Sequence, residues 1–416
     1  MRKSADVVTL MQLDSEDMNI RLLFPKHIDW EQWKQYKPDV PFSKEVIDYL
    51  NSLSVSLLRD KQSRLYPDVV TFAFFCRKAN IVVQKEKYFS KEEQRIGRGI
   101  LFHIAPSNVP INFGYSLVAG LLGGNYNVVR VSSKEFPQVS LIVKHMFILE
   151  KDRIHKNVSN RIALVQYERT SVATDFFSSF CNVRIIWGGD MTIWQIRKSA
   201  IPARSFDVTF ANRYSMAVIR GDELMKENEK TIKLLAEGFY NDTYLFDQNA
   251  CSAPHLIVWL GKSKSIQEIQ QHFWEAIQRL VEQKYKFQSV LAIDKLTTFY
   301  KQAVNMSIEK VETKDNKLIR VLLKELNIQV DAFNCAGGYF SEYVAESLEE
   351  IVPIIKDKYQ TMAYYGFTQK ELMNFVVNNR LIGIDRIVPV GETTNFTLIW
   401  DGYRLVDVLS REYIVV

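Results

Sequence analysis

The sequence predicts an α/β protein with two doubly wound α/β domains, each built on a mostly parallel sheet, and an active-site cleft between them. The first observation is the length, because 416 residues are enough for two or three domains. The second is the alternation of strand-like and helix-like segments from Gly99 onwards. Successive strand–helix units favour open parallel sheets covered by helices, because every parallel strand pair needs a crossover connection.

The first alternating block follows residues 43–80, where apolar positions recur at helical spacing. Its predicted elements are, in order, strand GILFHIA, helix VPINFGYSLVAGLL, strand NVVRV, helix FPQVSLIVKHMFILE, strand RIALVQY, helix SVATDFFSSF, strand VRIIW, helix GGDMTIWQIRKSA and strand FDVTF. Residues 99–129 contain no Asp, Glu, Lys or Arg, which is typical of a strand and helix buried on both faces. Pro106 and Pro110 interrupt any continuous helix there, so no integral membrane segment is predicted.

A second block begins near Asp222. It contains the helix EKTIKLLAEGFYND, the strand PHLIVWL and a long helix over about residues 265–284. The charged stretch EKVETKDNK, residues 309–317, is predicted to be an exposed loop.

The composition limits which kinds of binding partner and which cellular compartment are expected. The net charge of +5, from 53 basic and 48 acidic residues, gives little support to nucleic acid binding. The amino-terminal stretch MRKSADVVTLMQLDSEDMNI carries acidic residues and lacks the apolar core of a secretion signal. The four cysteines lie far apart without a CxxC pair, which argues against a zinc site or a disulfide framework and favours the reducing cytoplasm.

The stretch FDQNACSAPHLIVW places Cys251 on a polar turn before an apolar strand. Most cysteines outside disulfides are small buried residues, and packing is therefore one interpretation of this thiol. A turn held by a scaffold at the edge of a cleft is also where a nucleophile sits, and the local stretch leaves both interpretations open.

Three further polar stretches follow predicted strands of the first block. In IAPSNVP, the Asn108 amide either points at a developing oxyanion or caps the following helix. The stretch VVRVSSK suits either a phosphate or a solvated loop, and IWGGDMT has a glycine pair that lets backbone N–H groups approach phosphate. The polar residues of VVRVSSK are Arg130, Ser132, Ser133 and Lys134.

These stretches together resemble a known family. The order IAPSNVPINFGYSLVAGLLGGNYNVVRVSSK, WGGDMTIWQIRKSAIPARSFDVTFANRYSMAVI, FYNDTYLFDQNACSAPHLI and RIVPVGETTNFTLIWDGY closely resembles the LuxC-type acyl-CoA reductases, the fatty acid reductases of bacterial luminescence. The resemblance covers about residues 97–407, and the blocks around WGGD and FDQNACS are long and specific. That family is similar to a compact branch of the aldehyde dehydrogenase superfamily, so the resemblance implies an aldehyde-dehydrogenase-like fold.

The resemblance implies a reaction on Cys251. Its thiolate would attack a fatty acyl thioester, expel CoA and hold the acyl group, which hydride from NADPH would then reduce to the aldehyde. Asn108 and the backbone N–H of Cys251 fall where the superfamily stabilises the oxyanion.

The resemblance also implies the cofactor contacts. Ser133 beside Lys134 falls where NAD-preferring relatives often have a glutamate, which leaves room for a 2′-phosphate and favours NADPH over NADH. Arg130 stands where the superfamily commonly has a lysine on the adenosine ribose. The remaining predicted contacts are Pro106, Ser107, Ser132, Gly188, Gly189 and Thr192.

One departure from the superfamily favours reduction over hydrolysis. Oxidising aldehyde dehydrogenases carry a glutamate that activates water close to the position of Phe210. In the stretch DVTFANRYSMAVI, no acidic residue follows Phe210. Two minor candidates lie near Cys251 in sequence. Glu237 is either a base or a helix-surface residue, and His255 either lowers the thiol pKa or packs on the other face of its strand.

The resemblance suggests a domain plan and partners. Residues 1–90 form a mainly helical segment that packs on the cofactor domain, 91–221 bind the nicotinamide cofactor, 222–395 carry Cys251, and 396–416 close the cleft or bridge the domains. The expected partners are fatty acyl-CoA, or an acyl group handed over by an acyl-protein synthetase, and further copies in a homo-oligomer. Two alternatives remain: a cysteine acyltransferase or thioesterase without hydride chemistry, and a non-catalytic acyl-binding scaffold.

Overall fold

The computed structural model describes residues 18–88, 94–169, 172–261 and 263–414 of the chain. It divides into two compact units, one formed by Met1–Ala211 with Phe396–Val416 and the other by Asn212–Asn395. The second unit begins before the predicted position 222, because the strand Tyr214–Arg220 pairs within the second sheet. Most of the amino-terminal stretch MRKSADVVTLMQLDSEDMNI lies outside the described residues.

The secondary structure of the first unit follows the predicted alternation, with an added amino-terminal strand. Its helices are α1 (Trp30–Trp33), α2 (Lys44–Arg59), α3 (Pro67–Phe75), α4 (Lys78–Tyr88), α5 (Asn112–Leu122), α6 (Pro137–Glu150), α7 (Lys156–Ser159), α8 (Ala173–Phe180) and α9 (Asp190–Ile196). Its first strands are β1 (Arg21–Phe24), β2 (Arg95–Gly97), β3 (Ile100–Ile104), β4 (Tyr126–Arg130), β5 (Ile162–Gln166), β6 (Val183–Trp187) and β7 (Phe206–Phe210).

The second unit has its own helices and strands. The helices are α10 (Gly221–Leu224), α11 (Glu229–Thr243), α12 (Ser263–Lys284), α13 (Val290–Asn305) and α14 (Gln369–Asn379). The strands are β8 (Tyr214–Arg220), β9 (Pro254–Leu260), β10 (Ile308–Asp315), β11 (Leu318–Leu323), β12 (Tyr339–Ala345), β13 (Tyr359–Tyr365) and β14 (Arg386–Pro389). The carboxyl-terminal segment returns to the first unit with β15 (Ile399–Trp400), β16 (Tyr403–Arg404), α15 (Leu405–Val408) and β17 (Ser410–Glu412).

The first sheet has the order β1-β5-β4-β3-β6-β7, in which β1 is antiparallel to β5 and the other pairs are parallel. The residues of β3 and β6 are all buried, as the continuous apolar segments predict. The chain proceeds from β3 to β4 and β5 on one side, and then to β6 and β7 on the other. The strand order therefore reverses between β3 and β6, and ligands of open α/β sheets bind at the carboxyl ends of such strands.

A buried ion pair joins β6 to β7. Arg184 is 1% exposed and donates to Asp207 from Nε (2.8 Å to Oδ1) and from Nη2 (3.2 Å to Oδ2). Its Nη1 donates to Ser178 Oγ and to the Ser199 carbonyl, each at 2.9 Å. These partners compensate the loss of hydration of the guanidinium, so the pair is tolerated inside the unit.

The carboxyl-terminal segment is tied to the first unit by β17, which pairs antiparallel with β2 so that Ser410 lies opposite Gly97. Nearby, Asn125 Nδ2 donates to the Leu409 carbonyl at 2.8 Å, and Arg98 Nε donates to the Val408 carbonyl at 2.6 Å. These bonds make residues 396–414 part of the first unit's structure.

The second sheet has the order β10-β11-β12-β9-β8-β13-β14, with β10 antiparallel to β11 and the other pairs parallel. The prediction of an exposed loop over residues 309–317 is therefore wrong, because residues 308–315 form the edge strand β10. An edge strand needs only one paired side, and charged side chains on it discourage pairing with other chains.

No helix in the described ranges combines the length and the apolar character needed to cross a membrane.

Candidate active site

Cys251 lies on the turn between the short 3-10 helix Tyr244–Phe246 and the first residue of β9, at the amino end of that strand. Its side chain is neither fully buried nor fully exposed. The turn contains two left-handed residues that are not glycine, Asp247 (φ 51°) and Gln248 (φ 59°). Such residues cost on the order of 1 kcal/mol each and persist only when their surroundings hold them.

Gln248 supplies the bonds that hold this turn. It is 1% exposed, and its Oε1 accepts from the N–H groups of Gly338 (2.8 Å) and Tyr339 (3.1 Å). Its Nε2 donates to the carbonyls of Pro254 (2.9 Å) and Tyr339 (3.1 Å). The amide thereby ties the Cys251 turn to the start of β12 and leaves none of its hydrogen-bonding capacity unused.

Two neighbouring strands fix Cys251 itself. Ser215 Oγ, on β8, donates to the Cys251 carbonyl at 2.7 Å and accepts from the N–H of Thr361 at 3.1 Å. Gln360, on β13 and 1% exposed, donates from Nε2 to Cys251 Sγ at 3.3 Å. A donor aimed at sulfur favours the thiolate, because an ionised acceptor forms the stronger hydrogen bond.

Arg386 places a positive charge near the same sulfur. Burial lowers the pKa of Arg386, while attraction to Asp242, Cys251 and Glu392 acts in the opposite sense. An arginine remains protonated at any pH of interest. Its guanidinium is also anchored, since Nη1 donates to the Thr393 carbonyl at 2.7 Å. A fixed cation near a cysteine lowers the pKa of the thiol, and the thiolate is the nucleophilic form.

The loop that carries these contacts of Arg386 is held by a buried carboxylate. Asp242 is 1% exposed and accepts from the N–H groups of Gly391 (2.6 Å) and Thr393 (2.9 Å). Burial raises the pKa of Asp242 to about 6, although these two N–H donors act to lower it. Asp242 lies on α11 in the stretch FYND, which is one of the stretches that resemble the LuxC-type family. This stretch therefore helps to hold the loop that binds Arg386.

Replacing Gln360 by leucine is expected to slow alkylation of Cys251 by iodoacetamide at pH 7 by about 10-fold or more, because a hydrogen bond to a charged group contributes about 1.5–3 kcal/mol. The pH profile of alkylation should move to higher pH. Gln360→Glu, which places a carboxylate near the sulfur, should move it further. An unchanged profile in both variants would show that Gln360 does not act on the thiol.

The remaining minor candidates of the sequence lie apart from these contacts. His255, on β9, stacks on Tyr214 with ring centroids 5.8 Å apart, and its buried Nδ1 has no hydrogen-bond partner among the described residues. Burial, and to a lesser extent the charge of Lys358, lowers the pKa of His255 to about 4. The ring is therefore neutral at pH 7 and supplies no positive charge there. Glu237 lies on the exposed surface of α11.

Because the His255 ring is neutral in the folded chain, we expect the second unit to lose stability as the pH falls. Its pKa is about 4 in the folded chain and near 6.5 when unfolded, so its contribution to stability is complete above pH 6.5 and is lost as the pH falls towards 4. The loss should reach on the order of 3 kcal/mol. His255→Phe keeps a stacking ring and should flatten this part of the unfolding free energy measured against pH. The exposed His272→Gln serves as the control and should keep the slope.

Asn108 follows β3 in the first unit, and its side chain is exposed and makes no hydrogen bond within the described ranges. Helix α5 begins at Asn112 with Ile111 at its N-cap position and no side-chain cap. The alternative that Asn108 caps this helix is therefore wrong, and its amide N–H groups are available to a ligand.

The predicted cofactor residues lie at the carboxyl ends of three adjacent strands. Pro106, Ser107 and Asn108 follow β3, Arg130 ends β4 with Ser132, Ser133 and Lys134 after it, and the glycine pair follows β6. These are the strands on either side of the reversal in strand order, where a dinucleotide is expected in this type of sheet. The sheet thus brings together stretches that are distant in sequence.

The VVRVSSK residues divide into anchored and exposed side chains. Arg130 Nη2 donates to the Tyr167 carbonyl at 3.2 Å, and its guanidinium lies 4.8 Å from the Tyr167 ring centroid. Its buried Nε has no partner among the described residues. Ser132 Oγ accepts from the N–H of Lys134 at 3.2 Å, whereas the side chains of Ser133 and Lys134 are exposed. A hydroxyl and an ammonium are therefore presented to solvent on this loop.

The glycine pair opens the short helix α9. A Cβ added to Gly188 would lie 3.1 Å from Thr192 Cγ2, whereas one added to Gly189 would meet nothing within 4 Å. A side chain at Gly188 would therefore crowd Thr192, whereas Gly189 leaves open space above the loop. Nearby, Trp187 at the end of β6 stacks on Phe210, with 3.6 Å between the ring centroids.

Several solved aldehyde dehydrogenases have a similar fold. Aldehyde dehydrogenase 21 from Physcomitrella patens, in complex with the reaction product succinate, is similar with a TM-score of 0.63 and 11% identity, covering 88% of this chain and 84% of that one. The NAD-dependent benzaldehyde dehydrogenase from Corynebacterium glutamicum has a TM-score of 0.59 and 10% identity, over 92% of this chain and 86% of that one. These likenesses confirm the predicted aldehyde-dehydrogenase-like fold.

Sequence comparison finds curated bacterial relatives. The long-chain acyl-protein thioester reductase of Aliivibrio fischeri is 24% identical over 166 residues, which are 39% of this chain and 32% of the relative. The long-chain acyl-protein thioester reductase 2 of Photobacterium leiognathi is 25% identical over 170 residues, 41% of this chain and 34% of the relative. The aligned stretch spans about a third of each relative's length.

The family model for acyl-CoA reductase (LuxC) matches residues 80–412, which is most of the chain. The match includes the Cys251 turn, the three loops of the first sheet and the segment that carries Arg386. The chain therefore belongs to the acyl-CoA reductase (LuxC) family.

Proposed function

We propose that this chain reduces a fatty acyl thioester to the aldehyde through an S-acyl intermediate on Cys251. The observation that carries the proposal is the environment of the sulfur, which has a hydrogen-bond donor from Gln360 and a neighbouring cation, Arg386. The thiolate attacks the thioester carbonyl carbon, the bond from that carbon to the sulfur of CoA breaks, and CoA leaves as a thiolate that takes a proton from solvent.

The negatively charged oxygen that forms during this attack must be stabilised by hydrogen-bond donors. The family resemblance assigns it to the amide of Asn108 and the backbone N–H of Cys251, and the exposed, uncommitted amide of Asn108 fits that role. Donors aimed at a developing oxyanion typically contribute more than any other single group in acyl transfer.

The fate of the acyl group depends on what can reach it. Close to the position where the resemblance implies a water-activating glutamate in oxidising relatives, this chain has Phe210, which stacks on Trp187. An aromatic pair accepts no proton from water, so hydrolysis of the acyl-enzyme should be slow. This favours reduction to the aldehyde over release of the fatty acid.

A bound nicotinamide cofactor supplies the hydride for that reduction. The exposed Ser133 hydroxyl and Lys134 ammonium suit the 2′-phosphate of NADPH, and the orphaned buried Nε of Arg130 marks an unsatisfied donor on the same strand end. Gly188, Gly189 and Thr192 would lie along the pyrophosphate, and Pro106, Ser107 and Ser132 would line the rest of the contact. Asp190 in the first turn of α9 is the one acidic residue of that turn.

Ser133→Glu is expected to lower the affinity for NADPH by at least about 10-fold, because the new carboxylate repels the 2′-phosphate, while NADH binding changes little. Fluorescence titration of the cofactor against the purified chain measures both affinities. An equal loss for the two cofactors would place the 2′-phosphate elsewhere.

The acyl donor is either fatty acyl-CoA or a partner protein that carries the acyl group as a thioester, as the names of the curated relatives describe for those proteins. The four thiols, none joined in a disulfide among the described residues, suit a cytoplasmic enzyme. We also propose that the chain assembles into homo-oligomers.

The two chemical stages can be tested separately. The chain is first incubated with a long-chain acyl-CoA, and an increase of one acyl group in intact mass is expected. NADPH is then added, and the adduct should disappear as aldehyde is released. A chain that never gains the acyl group contradicts the proposal, whereas an adduct that NADPH cannot discharge favours an acyltransferase without hydride chemistry.

A further inference from the structure

Helix α13 in the second unit exposes several large apolar side chains, while its two fully buried side chains are polar. Its fully buried residues are Lys295 and Gln302. Lys295 Nζ donates to the carbonyls of Asn316 (2.6 Å) and Gly337, and Gln302 Nε2 donates to Ser341 Oγ at 2.9 Å. The helix is therefore held to its unit by these polar contacts together with Phe299, which packs against the apolar core.

The outward side carries an apolar stripe, defined by Val290, Ile293, Leu296, Tyr300 and Val304, whose exposed fractions run from 52% to 85%. Nothing in the described part of the chain covers these side chains. Together they present on the order of 500 Å² of apolar surface, which matches the largest patch that a monomer normally leaves exposed.

The spacing of the stripe is that of a helix–helix seam. Val290, Ile293, Thr297, Tyr300 and Val304 are separated by three, four, three and four residues, which is the a/d repeat of two heptads. Leu296 flanks the seam on one side. Such a repeat keeps one face of a helix against a partner helix over its whole length.

The charged residues beside the seam indicate which partner could pair with it. Asp294 and Lys301 occupy the same heptad position, one near each end of the helix, and both are exposed. They are too far apart to pair within one helix, because only residues three or four apart are neighbours. When two copies of the helix run antiparallel about Thr297, Asp294 of each copy lies beside Lys301 of the other.

We infer that the apolar stripe of α13 is a self-association surface, which pairs with the same helix of a second copy of this chain in antiparallel orientation about a two-fold axis. Two such faces bury on the order of 1,000 Å², which is the size at which a specific interface becomes stable. A two-fold interface requires one self-complementary patch, and the opposite charges at the two ends of the stripe provide it. The inference does not depend on the proposed reaction.

The test measures the mass of the full chain by light scattering over a range of micromolar concentrations. The parent chain should associate, and Ile293→Glu should raise its dissociation constant by at least about 10-fold, because two carboxylates enter the seam. If the chain also associates through another face, the variant halves the mass of the assembly. Met373→Glu is the matched control, since Met373 is 63% exposed on α14 against 68% for Ile293, and it should behave as the parent.

Charge reversal tests the antiparallel arrangement. Asp294→Lys and Lys301→Asp should each weaken association several-fold through two like-charge contacts, and the double exchange should restore the parent dissociation constant. An unchanged circular dichroism spectrum would show that these exposed variants fold. A parent that remains a single chain at all concentrations overturns the inference, as does a parent assembly that Ile293→Glu leaves intact. A double exchange that fails to restore association overturns the antiparallel pairing.

Discussion

Cys251→Ala is expected to lower aldehyde formation from a fatty acyl-CoA by at least about 10³-fold, because the variant has no atom that can hold the acyl group. The loss should appear in the first turnover, before product release limits the rate. Single-turnover formation of aldehyde, followed together with the intact mass of the protein, measures it. Unfolding should be little affected, since the thiol is only partly buried.

The control for this variant is Cys335→Ala, because Cys335 is the other partly exposed cysteine in the second unit. It should acquire the acyl group and release aldehyde at close to the parent rate. If Cys251→Ala still gains an acyl group, the nucleophile is another residue. If instead Cys335→Ala is the inactive variant, the assignment passes to Cys335.

Asp207→Ala is expected to destabilise the first unit by about 3–5 kcal/mol, because it leaves the Arg184 guanidinium buried without its counter-charge. Arg184 is 1% exposed and cannot recover its hydration by moving to the surface. The two remaining acceptors, Ser178 Oγ and the Ser199 carbonyl, satisfy one of its nitrogens and carry no negative charge. Urea unfolding monitored by tryptophan fluorescence measures the loss.

Two variants separate this effect from ordinary loss of a surface contact. Arg197 also reaches Asp207, with 3.3 Å between Nε and Oδ2, but its side chain is 54% exposed, so Arg197→Ala should cost less than about 1 kcal/mol. The double variant Arg184→Met with Asp207→Leu removes both charges and should recover most of the stability. A small loss in Asp207→Ala alone would show that water reaches the guanidinium.

The sequence was sufficient for the features that depend on local pattern. Continuous apolar segments such as those around Phe102 and Ile185 predicted buried parallel strands, and the structure has β3 and β6 there. The polar stretches after the predicted strands GILFHIA and NVVRV contain Asn108 and Ser133, which follow β3 and β4 in the structure. The structure shows that β3 and β4 are neighbours, as consecutive strands of such a sheet usually are.

The features that local pattern did not predict depend on contacts between distant residues or on paired charges. Gln360, on β13, donates to the Cys251 sulfur, and Arg386, on β14, attracts it electrostatically. The composition of neither strand indicates a functional site. A glutamine within an apolar strand is the one visible clue, because a buried amide needs a partner. Residues 309–317 were misassigned since their charges suit an exposed edge strand as well as a loop.

The pairing of β17 with β2 has a consequence for the order in which the protein is made. The second unit, Asn212–Asn395, is an insertion between the two parts of the first unit. A ribosome therefore releases every residue of the second unit before it releases Ser410, which completes the ladder opposite Gly97, and Leu409, which accepts from Asn125. Domains usually fold from the amino terminus as they emerge. The unit that starts first is therefore the last to be completed, and until then β2 lacks its ladder partner and Asn125 lacks its Leu409 acceptor.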